Sequence, residues 1–346
     1  MSRASVDIRR LVELVESFPR QTVAVLADLV VDEFVSGEIS RVSREAPVLI
    51  LRHRETQLVP GGGANAVNNL ADLGARVLPV GVVGDDAPGR GLLHYFRRKR
   101  VDTRGILRVS GWQTTTKTRF LAGWTHTTRQ QVLRVDRQPE GALPAAVTKK
   151  LEHAARAAAA RAGALLISDY GCGAVTPSLV RKLRARIATL DSRYAMLDYA
   201  GCLLTAATPN EPELETIYGQ RIGNHVARLE TLGAKLLLKL RLQALLVTRG
   251  KDGMAIFERG RQPVHIPVHG GDEVADVTGA GDTVIAAFTL ALAAGASFVE
   301  AAKLANYAGG IVVMKRGTAT LTREELLEAI GGDLTGGAHS APRTKE

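Results

Sequence analysis

Apolar residues change their spacing repeatedly along this chain, and each change marks an element. Positions 5–17 carry apolar residues at helical intervals, which predicts an amphipathic helix. Thr22-Val-Ala-Val-Leu-Ala27 is a short unbroken apolar run, as in a strand covered on both faces, and Asp28-Leu-Val-Val-Asp32 follows it. Residues 39–59 are rich in β-formers, and Pro47 within them favours a sheet edge. Glycines at 61–63 open a predicted helix through Leu73. A strand over Arg76–Val83 and a helix from about Pro88 to Arg100 come next.

Residues 112–136 break this rhythm. Two β-rich runs, Thr114–Leu121 and Gln130–Asp136, flank a polar loop around His126 and predict a hairpin. With residues 39–59 they can form a small separate sheet. From 144 onward helices and strands alternate. The helices predicted there are 145–162, 177–190, 210–218 and 226–240, and the strands are 164–168, 194–197 and 244–247. Two apolar helices, 280–295 and 297–314, come near the end, and a Gly-, Thr- and Pro-containing tail from Gly331 to Glu346 predicts disorder. Alternation of this kind predicts an α/β fold, a doubly wound, mainly parallel sheet flanked by helices.

Composition narrows the function. The 346 residues are 45% hydrophobic and 23% charged, values of an ordinary globular protein large enough to bury a core. Two cysteines, Cys172 and Cys202, supply neither a disulfide framework nor a cysteine zinc site, and the eight histidines show no metal spacing. An excess of 45 Lys and Arg over 35 Asp and Glu, a net +10, points to anionic partners. Only 4% of residues are aromatic, and no helix-turn-helix pattern is evident, so nucleic acid is not expected. The longest apolar stretch, 284–296, is too short for the ~20 residues of a membrane span, and the N-terminus lacks a signal sequence. The expectation is a cytoplasmic protein with no membrane partner.

Chemistry concentrates in Asp276-Val-Thr-Gly279-Ala280-Gly281-Asp282, which runs directly into an apolar helix. Backbone N–H groups of Gly279, Ala280 and Gly281 at such a helix start make an anion site. Asp282 beside them is placed to take a proton from a hydroxyl that attacks phosphorus. The plainer reading is an N-terminal cap. Gly61-Gly62-Gly63-Ala64-Asn65 also opens a helix but matches neither a P-loop nor a dinucleotide fingerprint. Glycines with an amide suit a hydroxyl-rich ligand; the plainer reading is a turn.

Together these two segments resemble the ribokinase-like family of sugar kinases, in its phosphofructokinase-B branch, over about residues 20–330. Between them, Thr208-Pro-Asn210-Glu-Pro-Glu213 resembles the family's N-x-x-E motif, and Thr248-Arg-Gly250-Lys-Asp-Gly253 its nucleotide-binding turn. Ser40–Pro47, Gln130–Asp136 and Ser168-Asp169-Tyr170 are similar to the subfamily of D-glycero-β-D-manno-heptose 7-phosphate kinases, in a stand-alone kinase form. Ala27 stands where relatives carry Gly, Cys172-Gly173 where they carry Lys-Gly, and the stretch after Asp198 lacks a usual Pro-Lys.

The resemblance implies one kinase domain over 1–330, with 39–59 and 112–136 as a β-sheet lid that pairs into a homodimer. It implies ATP as co-substrate with Mg²⁺, and Asp282 as general base. Asn210 and Glu213 would hold the metal through water, while Thr248, Gly250, Gly253 and Asn306 would line the nucleotide. The sugar phosphate would meet Asp28, Asp32, Arg41, Ser43, Glu45, Gly61, Gly62, Gly63, Asn65, Asp169 and Asp198. Lys117 and Arg119, on one face of a strand, would reach its phosphate together with Arg134. Product would be the 1,7-bisphosphate on the way to ADP-heptose. The alternatives are a kinase for another sugar, sugar phosphate or nucleoside, and a non-catalytic sugar-phosphate sensor.

Overall fold

The computed structural model describes residues 6–124, 129–270, 275–315 and 317–334. Thirteen strands among them are numbered in chain order: β1 (Thr22–Ala27), β2 (Leu29–Val42), β3 (Leu49–Gly62), β4 (Arg76–Gly84), β5 (Ile106–Val109), β6 (Thr115–Gly123) and β7 (Gln130–Arg137). They continue with β8 (Ala164–Asp169), β9 (Ala188–Ser192), β10 (Ala206–Ala207), β11 (Ala244–Thr248), β12 (Met254–Glu258) and β13 (Val264–Ile266). Nine form one sheet in the order β13-β12-β11-β10-β9-β8-β1-β4-β5, parallel except where β12 and β13 close its edge.

The unbroken apolar run of β1 follows from its central place. Val23, Val25 and Ala27 pack into one core with helices Ile8–Glu16, Gly63–Asp72, Ala280–Ala293 and Phe298–Val313. Ala24 and Leu26 enter the opposite core with helices Ala145–Ala160 and Val226–Lys239. Alternate residues thus face two apolar layers, so every position after the half-buried Thr22 is apolar. Among the described residues no helix is long and apolar enough to cross a membrane.

The second sheet has the order β3-β2-β6-β7 and contains the expected hairpin, β6 with β7. Its strands reach further than residues 39–59. β2 starts at Leu29, immediately after β1, and β3 runs on to Gly62. The segment Asp28–Asp32 is therefore where the chain leaves the main sheet for the second one. β2 pairs with β6 in parallel, which sets Asp32 opposite Lys117 and Phe34 opposite Arg119.

Three expectations fail. The helix predicted over 177–190 stops at Val180, and residues 188–192 become β9 instead. Ala188-Thr-Leu-Asp-Ser pairs on both sides, with β8 and β10, and that tertiary pairing outweighs local helical spacing. The strand predicted over 194–197 is absent, its place taken by a single 3₁₀ turn, Met196–Tyr199. Towards the C-terminus, helix Arg323–Leu334 passes through Gly331 and Gly332, because Leu326 and Ile330 anchor it in the core. His126 and the tail beyond Leu334 lie outside the described residues.

Candidate active site

The carboxyl ends of β1 and β8, the start of helix Ala280–Ala293 and the root of the lid converge on Asp282. Its side chain is 2% exposed. The Tyr170 hydroxyl donates to Oδ1 at 2.8 Å, and the Asn65 amide donates to Oδ2 at 3.2 Å. Asn65 is fixed in turn by Asn69, whose own Oδ1 accepts from the Thr283 hydroxyl. Burial raises the Asp282 carboxyl to about 7; the hydrogen bonds from Tyr170 and Asn65 oppose the rise, as does Lys117, while Asp32 adds to it.

Gly279 caps this helix at φ +80°, where a Cβ would lie 2.6 Å from the Asn65 amide nitrogen. Glycine is needed there for both backbone and space. The helix start leaves the Gly281 and Asp282 amides without intrahelical partners, as at any helix N-terminus. The Ala280 amide, by contrast, donates to the Val277 carbonyl at 3.2 Å, so of the expected anion-binding trio it is already engaged.

One face of the second sheet carries Asp32, Lys117 and Arg119. Asp32 accepts from Arg119 at 3.1 Å and from the Thr318 hydroxyl at 3.0 Å, in a nearly buried ion pair. The Arg119 Nε is buried without a hydrogen-bond partner. Lys117 Nζ lies 5.1 Å from the centre of the Tyr170 ring. Burial lowers its pKa, with Arg193 and Arg134 adding to the effect and Asp32 opposing it. Gly61 and Gly62 border this space: a Cβ on Gly61 would collide with Asp32, and one on Gly62 would press on Val30 and the Tyr170 ring. Gly63 lies one residue further on, in the first turn of helix Gly63–Asp72.

Other expected site residues stand elsewhere or are already engaged. Asp28 is 1% exposed, and its carboxylate accepts four backbone N–H groups, from Tyr170, Cys172, Ala174 and Val175. It clamps the loop after β8 and has no face open to a sugar. Asp169 is likewise occupied, by the Gly171 amide and the Ser192 and Tyr199 hydroxyls. Arg41, near the end of β2 and about 30 Å along it from Asp32 at ~3.3 Å per residue, and Ser43 and Glu45, in the turn before β3, are not brought to Asp282. Arg134 makes a two-point ion pair with Asp136 on exposed β7.

Asp198 ends no strand. It is exposed in the 3₁₀ turn, beside a cavity of about 600 Å³ that Asn210 and Glu213 also line. The strand-end carboxylate is Asp191, at the end of β9. Burial pushes it well up, and the charges of Glu213, Asp282 and Asp169 push the same way. Asp191 was hidden by the expected helix over it. Tyr170 was visible only as part of Ser168-Asp169-Tyr170, with nothing to show that its hydroxyl reaches Asp282. Thr318 gave no signal at all.

At the start of helix Glu211–Tyr218, Asn210 and Glu213 form a reciprocal cap. Asn210 Oδ1 accepts the Glu213 amide, and Glu213 Oε2 accepts the Asn210 amide. Thr248, last residue of β11, bridges to Asn210 through the backbone, and Gly250 and Gly253 form the turn after it. Asn306, 7% exposed, donates to the Pro267 carbonyl at 2.8 Å. Among the described residues no group of three His, Cys, Asp or Glu is placed to hold a metal directly.

Three comparisons bear on this geometry. The model of the pfkB family carbohydrate kinases matches residues 29–131 and 185–325. A protein named Bifunctional protein HldE from Geobacter metallireducens is 39% identical over 316 residues, covering 89% of this chain and 62% of the relative. One of the same name from Desulfatibacillum aliphaticivorans is 38% identical over 320 residues, covering 90% and 63%. The chain thus spans less than two thirds of these relatives' length. Arabidopsis thaliana ribokinase, solved with ribose and ATP, superposes with a TM-score of 0.67 at 20% identity, over 90% of this chain and 98% of that one. Phosphofructokinase-2 of Escherichia coli, solved with potassium, gives 0.70 at 17% identity, with the same coverage. The fold is ribokinase-like, and by its family match and its relatives the chain belongs to the pfkB family of carbohydrate kinases.

Proposed function

We propose that this kinase transfers the γ-phosphoryl group of ATP to the anomeric O1 of D-glycero-β-D-manno-heptose 7-phosphate. The product, the 1,7-bisphosphate, leads to ADP-heptose and the lipopolysaccharide core. The observation that carries the heptose reading is the match at 38% identity over 320 residues to a protein named HldE.

Asp282 takes the proton of the acceptor hydroxyl. That oxygen then bonds to the γ-phosphorus as the bond from phosphorus to the departing ADP oxygen breaks. Free amides at Gly281 and Asp282 face the charge gathering on the phosphoryl oxygens. A carboxyl near 7 ionises in the neutral range yet remains basic enough to pull a proton.

Mg²⁺ prefers oxygen ligands and keeps much of its water, which suits Glu213, whose carboxyl is raised chiefly by burial, and Asn210 beside it. These residues would hold the ion through water, and it would supply charge neutralisation for the phosphates. Lys117, in no ion pair among the described residues, is the lid cation most available to the substrate's own phosphate. Arg119 and Arg134 already have carboxylate partners. Homodimer formation through the lid belongs to the same reading, since β7 exposes Val132, Leu133 and Val135.

An ADP-release assay across phosphorylated and unphosphorylated heptoses, ribose and fructose 6-phosphate tests the substrate. Heptose 7-phosphate should give the highest kcat/KM. Equal or better turnover with an unphosphorylated sugar would reject the assignment.

A further inference from the structure

Tyr170 has no part in the phosphoryl transfer as proposed, yet it contacts Asp28, Lys117 and Asp282 together. Its backbone N–H donates to the buried Asp28 carboxylate at 3.0 Å, which anchors the residue to the end of β1. Its ring lies 3.3 Å from where a Cβ on Gly62 would stand, and 5.1 Å beneath the Lys117 ammonium. Its hydroxyl meets Oδ1 of Asp282 at 2.8 Å.

We propose that Tyr170 is a positioning residue for phosphoryl transfer: with Asn65 it grips both oxygens of Asp282 and aims the carboxylate at the acceptor hydroxyl. A carboxylate held at one oxygen can still rotate about its Cβ–Cγ bond; one held at both cannot. Each oxygen keeps a second lone pair for the substrate. The phenol is a donor throughout the working range. Burial raises its pKa far above the ordinary value, and Asp282 and Asp191 act in the same direction. The clamp on Asp28 gives that buried aspartate a purpose: it fixes the loop from which the tyrosine reaches across.

The same contact tunes the base. The groups that face Asp282 are Tyr170 after β8, Asn65 on helix Gly63–Asp72, Asp32 on β2 and Lys117 on β6, with Asp191 on β9 acting through its charge. Removing the phenolic donor leaves burial and the two aspartates less opposed. The carboxyl then holds its proton to higher pH, and the base is lost over a wider range.

The inference rests on Asp282 acting as base, and the test separates the two. In Tyr170→Phe, kcat should fall roughly ten-fold or more, and the acid limb of kcat should move up by roughly one pH unit, the scale of one hydrogen bond to a charged group. KM for ATP should stay within about two-fold, since the phenol is not on the nucleotide side. The assay uses whichever sugar of the panel turns over fastest, so the substrate's identity does not enter. A second variant, with 2,3-difluorotyrosine placed at 170 by nonsense suppression, keeps the ring and makes the phenol a stronger donor. Its acid limb should move the opposite way, to lower pH. An acid limb unmoved in both variants overturns the proposal. If Asp282→Asn also turns over normally, the base reading has failed; if it is inactive, only the role of Tyr170 has.

Discussion

Two buried aspartates, both bonded to Tyr170, show how surroundings divide labour. Asp28 meets four backbone N–H groups from one loop. Asp282 meets two side-chain donors that come from different elements, Tyr170 and Asn65. Burial raises both, Asp28 to about 6 and Asp282 to about 7. Backbone donors cannot turn away, so Asp28 is saturated and serves as a joint. Two side-chain donors leave Asp282 with acceptor capacity to spare, so it can still accept a proton. Number and kind of donor, more than burial, separate a saturated carboxylate from one with acceptor capacity left.

The comparison breaks most sharply at Asp282. Asp282→Asn should cost at least ~10²-fold in kcat with the fold intact, the scale of a lost general base. In the unaltered enzyme kcat should climb as pH rises through about 7, since only the ionised carboxylate accepts the proton. The Asn variant should lose that limb, and a pH–rate series on both proteins checks this. At the other aspartate the effect should move from rate to stability. Asp28→Asn replaces an acceptor oxygen with an NH₂ that faces N–H donors, and should cost about 2–3 kcal/mol in urea unfolding. A variant as stable as the parent would show that the four bonds hold nothing together.

Smaller effects sharpen the same contrast along the lid. Lys117→Ala should raise KM for the sugar phosphate about ten-fold or more, the scale of one charged contact, and leave KM for ATP alone. Arg41→Ala, at the distant turn, should change neither beyond about two-fold. Steady-state kinetics on the pair decides whether the root of the lid or its tip meets the substrate. A change milder than Lys117→Ala should come from Glu213→Gln. It keeps the helix cap through its remaining carbonyl oxygen, so the Mg²⁺ concentration for half-maximal rate should rise while sugar KM holds. An unchanged Mg²⁺ titration would remove Glu213 from the metal's surroundings.

Much of this molecule could be read before any coordinates. The run Thr22–Ala27 reads as a buried strand, and it is one; glycines before an apolar helix single out Asp282 as a candidate base. Lys117 and Arg119 had to share a face, because side chains alternate along a strand. These are local facts, set by periodicity and by what a glycine turn permits. Other features depended on partners distant in sequence. Residues 188–192 are a strand only because β8 and β10 flank them, and with that strand Asp191 replaces Asp198 as the carboxylate at its end. Strand-end position alone could not show that Asp28 is saturated, since the donors that fill it come from residues 170–175. Nor could spacing bring Tyr170 to Asp282 across 112 residues of chain. Residue types and local order settled which groups were available for chemistry; tertiary packing, which sets the donors and charges each buried group meets, decided which of them was left free to act.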